Sequence, residues 1–281
     1  MFPITYTIEG QTKTAWGAST WAEVEPKNFL PLIRTIYAAA KTAEVKYQIP
    51  LLASNINKDD YLKLNQVQSL QLVAHFDFLL DFVDLPTKWY IDSIPIRHII
   101  KGKYMPLQVL HGPAERLKNV CFEEFIYAES YFSAYSKSKK ESDLNMFCAI
   151  LFRPKTKAKK YNGDVREPFD RHSVEKRAEV IAKIDNAVKQ AIVLNYVGAK
   201  STFPKMYKWL FSSDEDQEKN AAQASFSWLE VAYRMAEHKP SEMQVLKRQD
   251  LHEVLSSLNL KVKDNEALKE ELEAMRRKNT R

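Results

Sequence analysis

Apolar and polar residues alternate at the start of the chain, with the period of a half-buried β-strand. Ile4, Tyr6 and Ile8 share one face of this run, and a second β-prone run covers residues 11–16. The pair Glu9-Gly10 between the two runs suits a tight turn. The pattern therefore predicts an N-terminal β-hairpin.

Apolar residues then recur at helical spacing, and local signals suggest where the first helices begin. Thr20 and Glu23 fit a capping box for a helix over residues 20–48. Asn57 fits the N-cap of a second helix over residues 58–82. These segments predict two long amphipathic helices after the hairpin.

The rest of the chain continues this helical pattern. Ser173 fits the N-cap of a long helix through residue 196, and Gly198 fits its C-terminal stop. A loop is predicted over residues 153–172, where proline and glycine interrupt a lysine-rich stretch. Further helices are predicted over residues 122–135, 143–152, 204–211, 222–237, 241–258 and 264–278.

Together these elements predict a mainly α, multi-helix globular protein with a minor β component. Residues 96–100 and 104–110 flank Lys101-Gly102 and predict a second short hairpin, which Pro106 restricts to a sheet edge. Only six of the 281 residues are glycine, which disfavours dinucleotide-binding folds and β-sandwiches.

Composition also divides the chain into two predicted segments. The acidic stretch at residues 212–221 resembles a mobile linker. It separates a main helical domain at residues 1–211, which includes the hairpin, from a C-terminal helical segment at residues 222–281. The second segment is free to pack on the first.

The net charge of +6 comes from the second half of the chain, where 26 basic residues face 20 acidic ones after residue 150. The excess lies mainly in two clusters of basic residues, one after residue 152 and one at the end of the chain. Clusters of basic residues can bind phosphate, which leaves nucleic-acid binding as an alternative function. Charge runs in loops are usually only solvated, and we favour that interpretation. The basic candidates are Arg153, Lys155, Lys157, Lys159, Lys160, Arg276, Arg277, Lys278 and Arg281.

Two cysteines, Cys121 and Cys148, are too few for a disulfide framework and lack metal-ligand spacing. We expect reduced thiols in a cytoplasmic protein. No stretch reaches the length of a membrane span, and the first residues lack a signal-peptide profile.

Signatures of known catalytic sites are absent from the sequence, so we expect a protein without enzymatic activity, catalytic residues, bound metal or cofactor. Asp77, Asp81 and Asp84 would share one face of the second helix, with His75 nearby. That face could hold a divalent cation, and a metal-dependent hydrolase around Asp77 and Asp81 remains an alternative. We favour the simpler interpretation, that the acids form its solvated side.

Two apolar patterns bear on partner binding. The aromatic helix over residues 122–135 is best explained as core, although aromatic ladders also stack bases. The terminal helix differs, because Leu268, Leu272 and Met275 form only a narrow apolar stripe on a charged surface. Such a stripe can pack on its own domain, pair with its own copy or lie in a partner's groove. Trp209 and Phe211, beside the acidic linker, are further candidate partner-binding residues.

A series of short phrases, in order and spacing, resembles uncharacterised phage and prophage proteins encoded near tail genes. The resemblance covers most of residues 20–260. It rests on residues 21–24 (WAEV), 122–129 (FEEFIYAE), 131–132 (YF), 149–154 (AILFRP), 164–166 (DVR), 168–169 (PF) and 191–196 (AIVLNY).

This resemblance implies a helical protein similar to tail-assembly factors, including chaperones for the long helical tail-length-determining protein. It implies no catalytic residues, and it implies a location in the cytoplasm of a bacterial host or in the virion. The leading hypothesis is therefore a non-enzymatic tail-assembly or structural protein that binds an apolar helical surface of a partner protein.

Overall fold

Helices make up most of the chain in its computed structural model, which describes residues 1–81, 84–96, 99–100, 103–104, 108–156, 164–211 and 227–279. The fold is mainly α with a minor β component, as predicted. The acidic stretch 212–221, Lys101-Gly102 and Pro106 lie outside the described residues.

The helices vary from single turns to eight turns in length. They are α1 (Pro26–Ala39), α2 (Ile49–Ala53), α3 (Lys58–Leu62), α4 (Gln66–Ala74), α5 (Asp77–Leu80), α6 (Phe122–Ser138), α7 (Glu141–Leu151), α8 (Val174–Ile181), α9 (Asn186–Lys200), α10 (Phe203–Met206), α11 (Trp228–Met235), α12 (Pro240–Arg248) and α13 (Leu251–Asn279). Short 3₁₀ turns lie at Trp21–Glu23, Ala43–Gln48, Glu115–Leu117 and Arg171–Ser173.

The strands are short and pair antiparallel. They are β1 (Phe2–Ile8), β2 (Gln11–Gly17), β3 (Ser93–Ile96), β4 (Ile99–Ile100), β5 (Lys103–Tyr104), β6 (Gln108–His111) and β7 (Arg153–Pro154). β1 pairs with β2, β4 with β5, and β6 lies between β3 and β7. The second predicted hairpin is therefore confirmed by the β3–β6 and β4–β5 pairings.

The N-terminal hairpin follows the predicted alternation. Ile4, Tyr6 and Ile8 are buried, and Ile8 pairs with Gln11 across a two-residue turn. Both turn residues, Glu9-Gly10, have positive φ, 52° and 79°. This geometry matches the twist of the flanking strands, which explains why a glycine lies there.

The first predicted helix is shorter than expected. α1 begins at Pro26, and a proline suits this first turn because the N–H that it lacks has no partner inside the helix there. The capping box at Thr20 is wrong, because the Thr20 side chain makes no capping hydrogen bond. Glu23 bonds the preceding residue instead, since the backbone N–H and the hydroxyl of Ser19 both donate to the Glu23 carboxylate at 2.7 Å.

The predicted helix over residues 58–82 is divided into α3, α4 and α5. Asn57 caps α3 as predicted. Asn65 then starts α4 through a capping box with Gln68, in which each side chain accepts a backbone N–H of the other residue. A short polar side chain that binds the backbone in this way competes with helix continuation.

The long helix predicted after Ser173 is likewise two helices, α8 and α9. Ser173 makes no side-chain cap, whereas Asp185 accepts the N–H of Ala187 at 2.9 Å and starts α9. Gly198 lies inside α9 and does not end it, contrary to expectation. It is required for close packing, because a Cβ there would lie 2.2 Å from the carbonyl oxygen of Pro86.

The break between the last two helices also differs from the prediction. Instead of ending at residue 258 and restarting at 264, the helix begins at Leu251 and continues to Asn279. Asp250 marks the start, since its side chain accepts the N–H of His252 at 2.8 Å.

The segment predicted as a loop over residues 153–172 contains a strand. β7 pairs with β6, with His111 opposite Arg153. An isolated bridge then joins Lys155 to Arg166. Arg153 in this strand is buried and ion-paired with Glu124 and Asp164.

The chain forms two compact units, residues 1–91 with 184–199 (unit 1) and residues 92–183 with 200–281 (unit 2). This division differs from the expected boundary at the acidic linker, because α9 belongs to unit 1 and the C-terminal helices belong to unit 2. The core of unit 1 includes Trp21, Leu32, Ile33, Phe76, Leu79 and Ile192. The core of unit 2 includes Phe122, Phe125, Phe147, Ile150, Phe152, Leu251 and Leu255.

Candidate partner-binding surface

The first half of α13 is anchored in the core of unit 2. Leu251 and Leu255 are fully buried, and the Leu251 N–H donates to the carbonyl of Val120 at 3.0 Å. In return, the N–H of Phe122 donates to the carbonyl of Gln249 at 2.9 Å. These reciprocal bonds fix the start of α13 against the start of α6.

The start of α6 is itself held by a buried ionic cluster. Glu124, 0% exposed, accepts from Arg166 Nη1 at 2.8 Å and lies 2.9 Å from Arg153 Nη1. Asp164 completes the cluster through the Nε of Arg166 at 3.0 Å. Burial disfavours the charged form of Arg166, but Glu124 and Asp164 outweigh this and raise its pKa.

A third buried arginine lies on α8, next to the cluster. The Nε of Arg177 donates to the carbonyl of Ala149 at 2.6 Å, which ties α8 to α7. Burial first, and then the charge of Arg153, lowers the pKa of Arg177 to about 10. The ion pairs of Glu124 with Arg153 and Arg166 tie α6 to β7 and the chain after it, and their role is structural, since guanidinium groups stay protonated at neutral pH.

Only part of this cluster is visible in the sequence. Charges of both signs lie close together from Asp164 to Asp170, and Asp164 and Arg166 form an ion pair there. The buried partner Glu124 lies some forty residues earlier and shows no distinguishing local pattern. The one sequence feature that could have indicated its burial is its place on the apolar face of the aromatic helix.

The second half of α13 presents apolar side chains to solvent. Leu260, Leu268, Leu272 and Met275 are 57%, 55%, 49% and 59% exposed. The last three form the predicted stripe, here called the α13 seam. Large apolar side chains aligned on one exposed helix face are typical of an interaction site. Packing of the seam on its own unit, one of the expected alternatives, is not seen among the described residues.

Trp209 and Phe211 lie beside α13. The backbone N–H groups of Trp209 and Leu210 both donate to the Asn259 side-chain oxygen, at 2.9 and 3.0 Å. Trp209 is 43% exposed, whereas the Phe211 ring lies 6.3 Å from that of buried Phe203. Trp209 is therefore available to a partner near the exposed half of α13, and Phe211 contributes mainly to local packing.

A histidine that the sequence did not single out joins the same region. The hydroxyl of Tyr207 bonds Nδ1 of His252, and Nε2 of His252 lies 2.8 Å from the carbonyl of Arg116. Burial raises the pKa of Tyr207. The pair links the α10 turn and α13 to residues 116–117, which have positive φ.

The basic candidates that the structure describes differ in burial and in pairing. Arg153 is only 2% exposed and ion-paired with Glu124 and Asp164, so its proposed role in nucleic-acid binding is wrong. Lys155 and Arg276 are exposed, and Arg277 pairs with Glu273 at 3.6 Å. The remaining lysines of the first cluster (Lys157, Lys159, Lys160), the side chain of Lys278, and Arg281 lie outside the described residues.

The acidic candidates do not form the predicted face. α5 comprises only Asp77–Leu80, Asp81 follows its end, and Asp84 has positive φ, so one helix face cannot carry all three. All three are exposed, whereas Phe76 and Leu79 are buried, which agrees with the solvated interpretation. Within the described ranges, no group of three or more His, Cys, Asp or Glu could hold a metal ion.

Comparison with protein-family models, curated proteins and solved structures finds no match to this chain. None of the helices in the described part of the chain combines the length and apolar character that crossing a membrane requires.

Proposed function

We propose that this protein is a non-enzymatic assembly protein that binds an apolar helix of a partner through the α13 seam. The observation that supports the proposal is the contrast within α13. Leu251 and Leu255 are buried in unit 2, whereas Leu268, Leu272 and Met275 on the same helix are about half exposed. Such a rigid helix face suits helix-in-groove binding.

The free energy available from burying the seam is small, which favours a partner that binds reversibly. Full burial of a leucine or methionine side chain stabilises a complex by about 1.5–3 kcal/mol, and these three side chains are already half covered. The seam therefore offers about 3 kcal/mol in total before the entropy cost of association, which is larger. Matching apolar groups on the partner, and contact with Trp209, supply the rest.

The partner class follows from the sequence. The resemblance to phage tail-region proteins makes a long helical tail protein, such as the tail-length-determining protein, the first partner to test. In that role, the seam would cover apolar helix surface on the tail protein until the tail assembles.

The test compares two glutamate substitutions at positions of α13 that are both exposed but lie on different faces of the helix. Leu272→Glu places a charge in the seam, and Ala274→Glu places the same charge on an exposed neighbouring face of α13. Purified full-length variants are used to capture tail proteins from phage-infected or prophage-bearing cells, and binding to the captured protein is then measured directly.

We expect Leu272→Glu to weaken binding by about tenfold or more, equivalent to about 1.4 kcal/mol, and Ala274→Glu to leave it within about twofold. Circular dichroism and thermal unfolding confirm that both variants remain folded. Recovery of no tail protein by the wild type, or equal binding by both variants, would refute the proposed function.

A further inference from the structure

The exposed half of α13 follows a heptad repeat. With positions a to g assigned from Asn265, Leu272 also falls at position a, and Leu268 and Met275 fall at position d. Lys261 occupies the preceding d position, and Leu258 before it is buried in unit 2. The apolar repeat available to another chain therefore begins after Lys261 and spans two heptads.

The flanking charges are complementary between two parallel copies of this helix. The charged residues at positions g are Asp264, Glu271 and Lys278, and those at positions e are Lys269 and Arg276. Asp264, Glu271, Lys269 and Arg276 are exposed. In a parallel pair, each g residue faces the e residue five positions later in the other copy. Asp264 then faces Lys269, and Glu271 faces Arg276, on both sides of the pair.

An antiparallel pair would lose most of this complementarity. In that arrangement, g residues face g residues and e residues face e residues. Lys269 and Arg276 would then face no acid, and Asp264 and Glu271 would face a base only where Lys278 lies opposite them. Asn265 adds a second preference, because a polar residue at position a pairs with itself only when the helices are parallel and in register.

We infer that the α13 seam pairs with the seam of a second copy of this chain as a short parallel coiled coil. This inference rests on the proposed function, since it names the first occupant of the same surface. Two heptads give a weak pair, with a dissociation constant between about 10 µM and about 1 mM. A weak pair covers the seam in the absence of a partner and releases it when a partner helix binds.

The test uses two full-length charge variants. The acidic variant carries Lys269→Glu and Arg276→Glu at positions e, and the basic variant carries Asp264→Lys and Glu271→Lys at positions g. The control for the acidic variant, Lys263→Glu with Arg277→Glu, makes the same charge change at the outward position f. Sedimentation velocity at increasing protein concentration measures self-association, and circular dichroism confirms folding.

We expect the wild type and the control to dimerise with similar dissociation constants, and each charge variant alone to dimerise at least about tenfold more weakly. An equimolar mixture of the acidic and basic variants should dimerise at least as well as the wild type, because every e–g contact is then between opposite charges.

Orientation is tested with Met275→Cys in a redox buffer, which places one thiol at position d. In a parallel, in-register pair the two thiols lie opposite each other and form an intermolecular disulfide. The matched Ala274→Cys variant, at position c, should not crosslink efficiently. Equal crosslinking by both variants would refute the parallel arrangement.

A wild type that stays monomeric up to about 1 mM would overturn the inference. So would charge variants that dimerise like the control. Either result leaves the proposed function standing if Leu272→Glu still abolishes capture of the tail protein. If the wild type captures no tail protein but still forms the pair with its own copy, the proposed function alone is refuted.

Discussion

Replacing Glu124 with glutamine tests whether the buried ionic cluster holds unit 2 together. The carboxylate is 0% exposed, accepts a charged hydrogen bond from Arg166 at 2.8 Å and pairs with Arg153 at 2.9 Å. Glutamine keeps one acceptor oxygen but directs an NH₂ group at a guanidinium, and Asp164 remains as the one acidic partner identified for both arginines. Breaking a buried pair in this way costs about 3–5 kcal/mol.

The neighbouring Glu123 supplies a matched control. It lies in the same first turn of α6 but is partly exposed, and its pair with Lys247 is longer, at 3.6 Å. Both substitutions remove one negative charge from the N-terminus of α6, so the helix-dipole effect cancels in the comparison. Glu123→Gln should cost less than about 1 kcal/mol.

The assay is urea unfolding followed by circular dichroism, with hydrogen exchange of α6 amides to locate the loss in unit 2. We expect the midpoint of the unfolding transition of unit 2 to fall sharply for Glu124→Gln and little for Glu123→Gln. A loss of 3–5 kcal/mol is a large part of the about 5–15 kcal/mol typical of a folded protein. Equal losses for the two variants would refute the argument that Glu124 is the central acceptor.

Two further predictions concern unit 1. Gly198→Ala should lower the thermal midpoint, because the added Cβ would lie 2.2 Å from the Pro86 carbonyl oxygen. Such overpacking destabilises the fold by about 1–3 kcal/mol, which exceeds the roughly 1 kcal/mol by which alanine stabilises a helix relative to glycine. An unchanged or higher midpoint would contradict this. The pKa of Asp185 is lowered by the N–H of Ala187 and then by Arg34, so its stabilising effect is present above about pH 3.8 and is lost as the pH falls further. Asp185→Asn should therefore flatten the fall in thermal midpoint between about pH 5 and 2, and identical acid profiles would refute it.

Periodicity predicted which segments are helical or extended, because burial of one face imposes that period. The N-terminal hairpin, α6 and α7 agree with it closely. Helix boundaries failed where a short polar side chain binds the backbone. Asn65, Asp185 and Asp250 each start a new helix inside a segment predicted as continuous or divided elsewhere. These residues are visible in the sequence, but apolar spacing alone does not weigh them against helix continuation.

In the candidate site, too, features set by neighbouring residues in sequence were predicted, and features set by the tertiary fold were not. The apolar stripe of Leu268, Leu272 and Met275 was predicted because the spacing of its residues is a local property, whereas its exposure was left open. The burial of Arg153 was not predicted, because it depends on Glu124 and Asp164, which only the tertiary fold brings to it. The first cluster of basic residues therefore includes one residue, Arg153, whose charge is used in a buried ion pair.

Unit 1 has a consequence for synthesis of the protein, because α9 reaches it from far along the chain. The Asn195 side chain donates to the carbonyl of Lys88 at 2.7 Å and accepts the N–H of Tyr90 at 3.3 Å. Residues 92–183 must therefore leave the ribosome, at roughly 5–20 residues per second, before these bonds can form. The N-terminal part of the nascent chain waits for several seconds with apolar surface uncovered, and that interval is when it depends most on cellular chaperones.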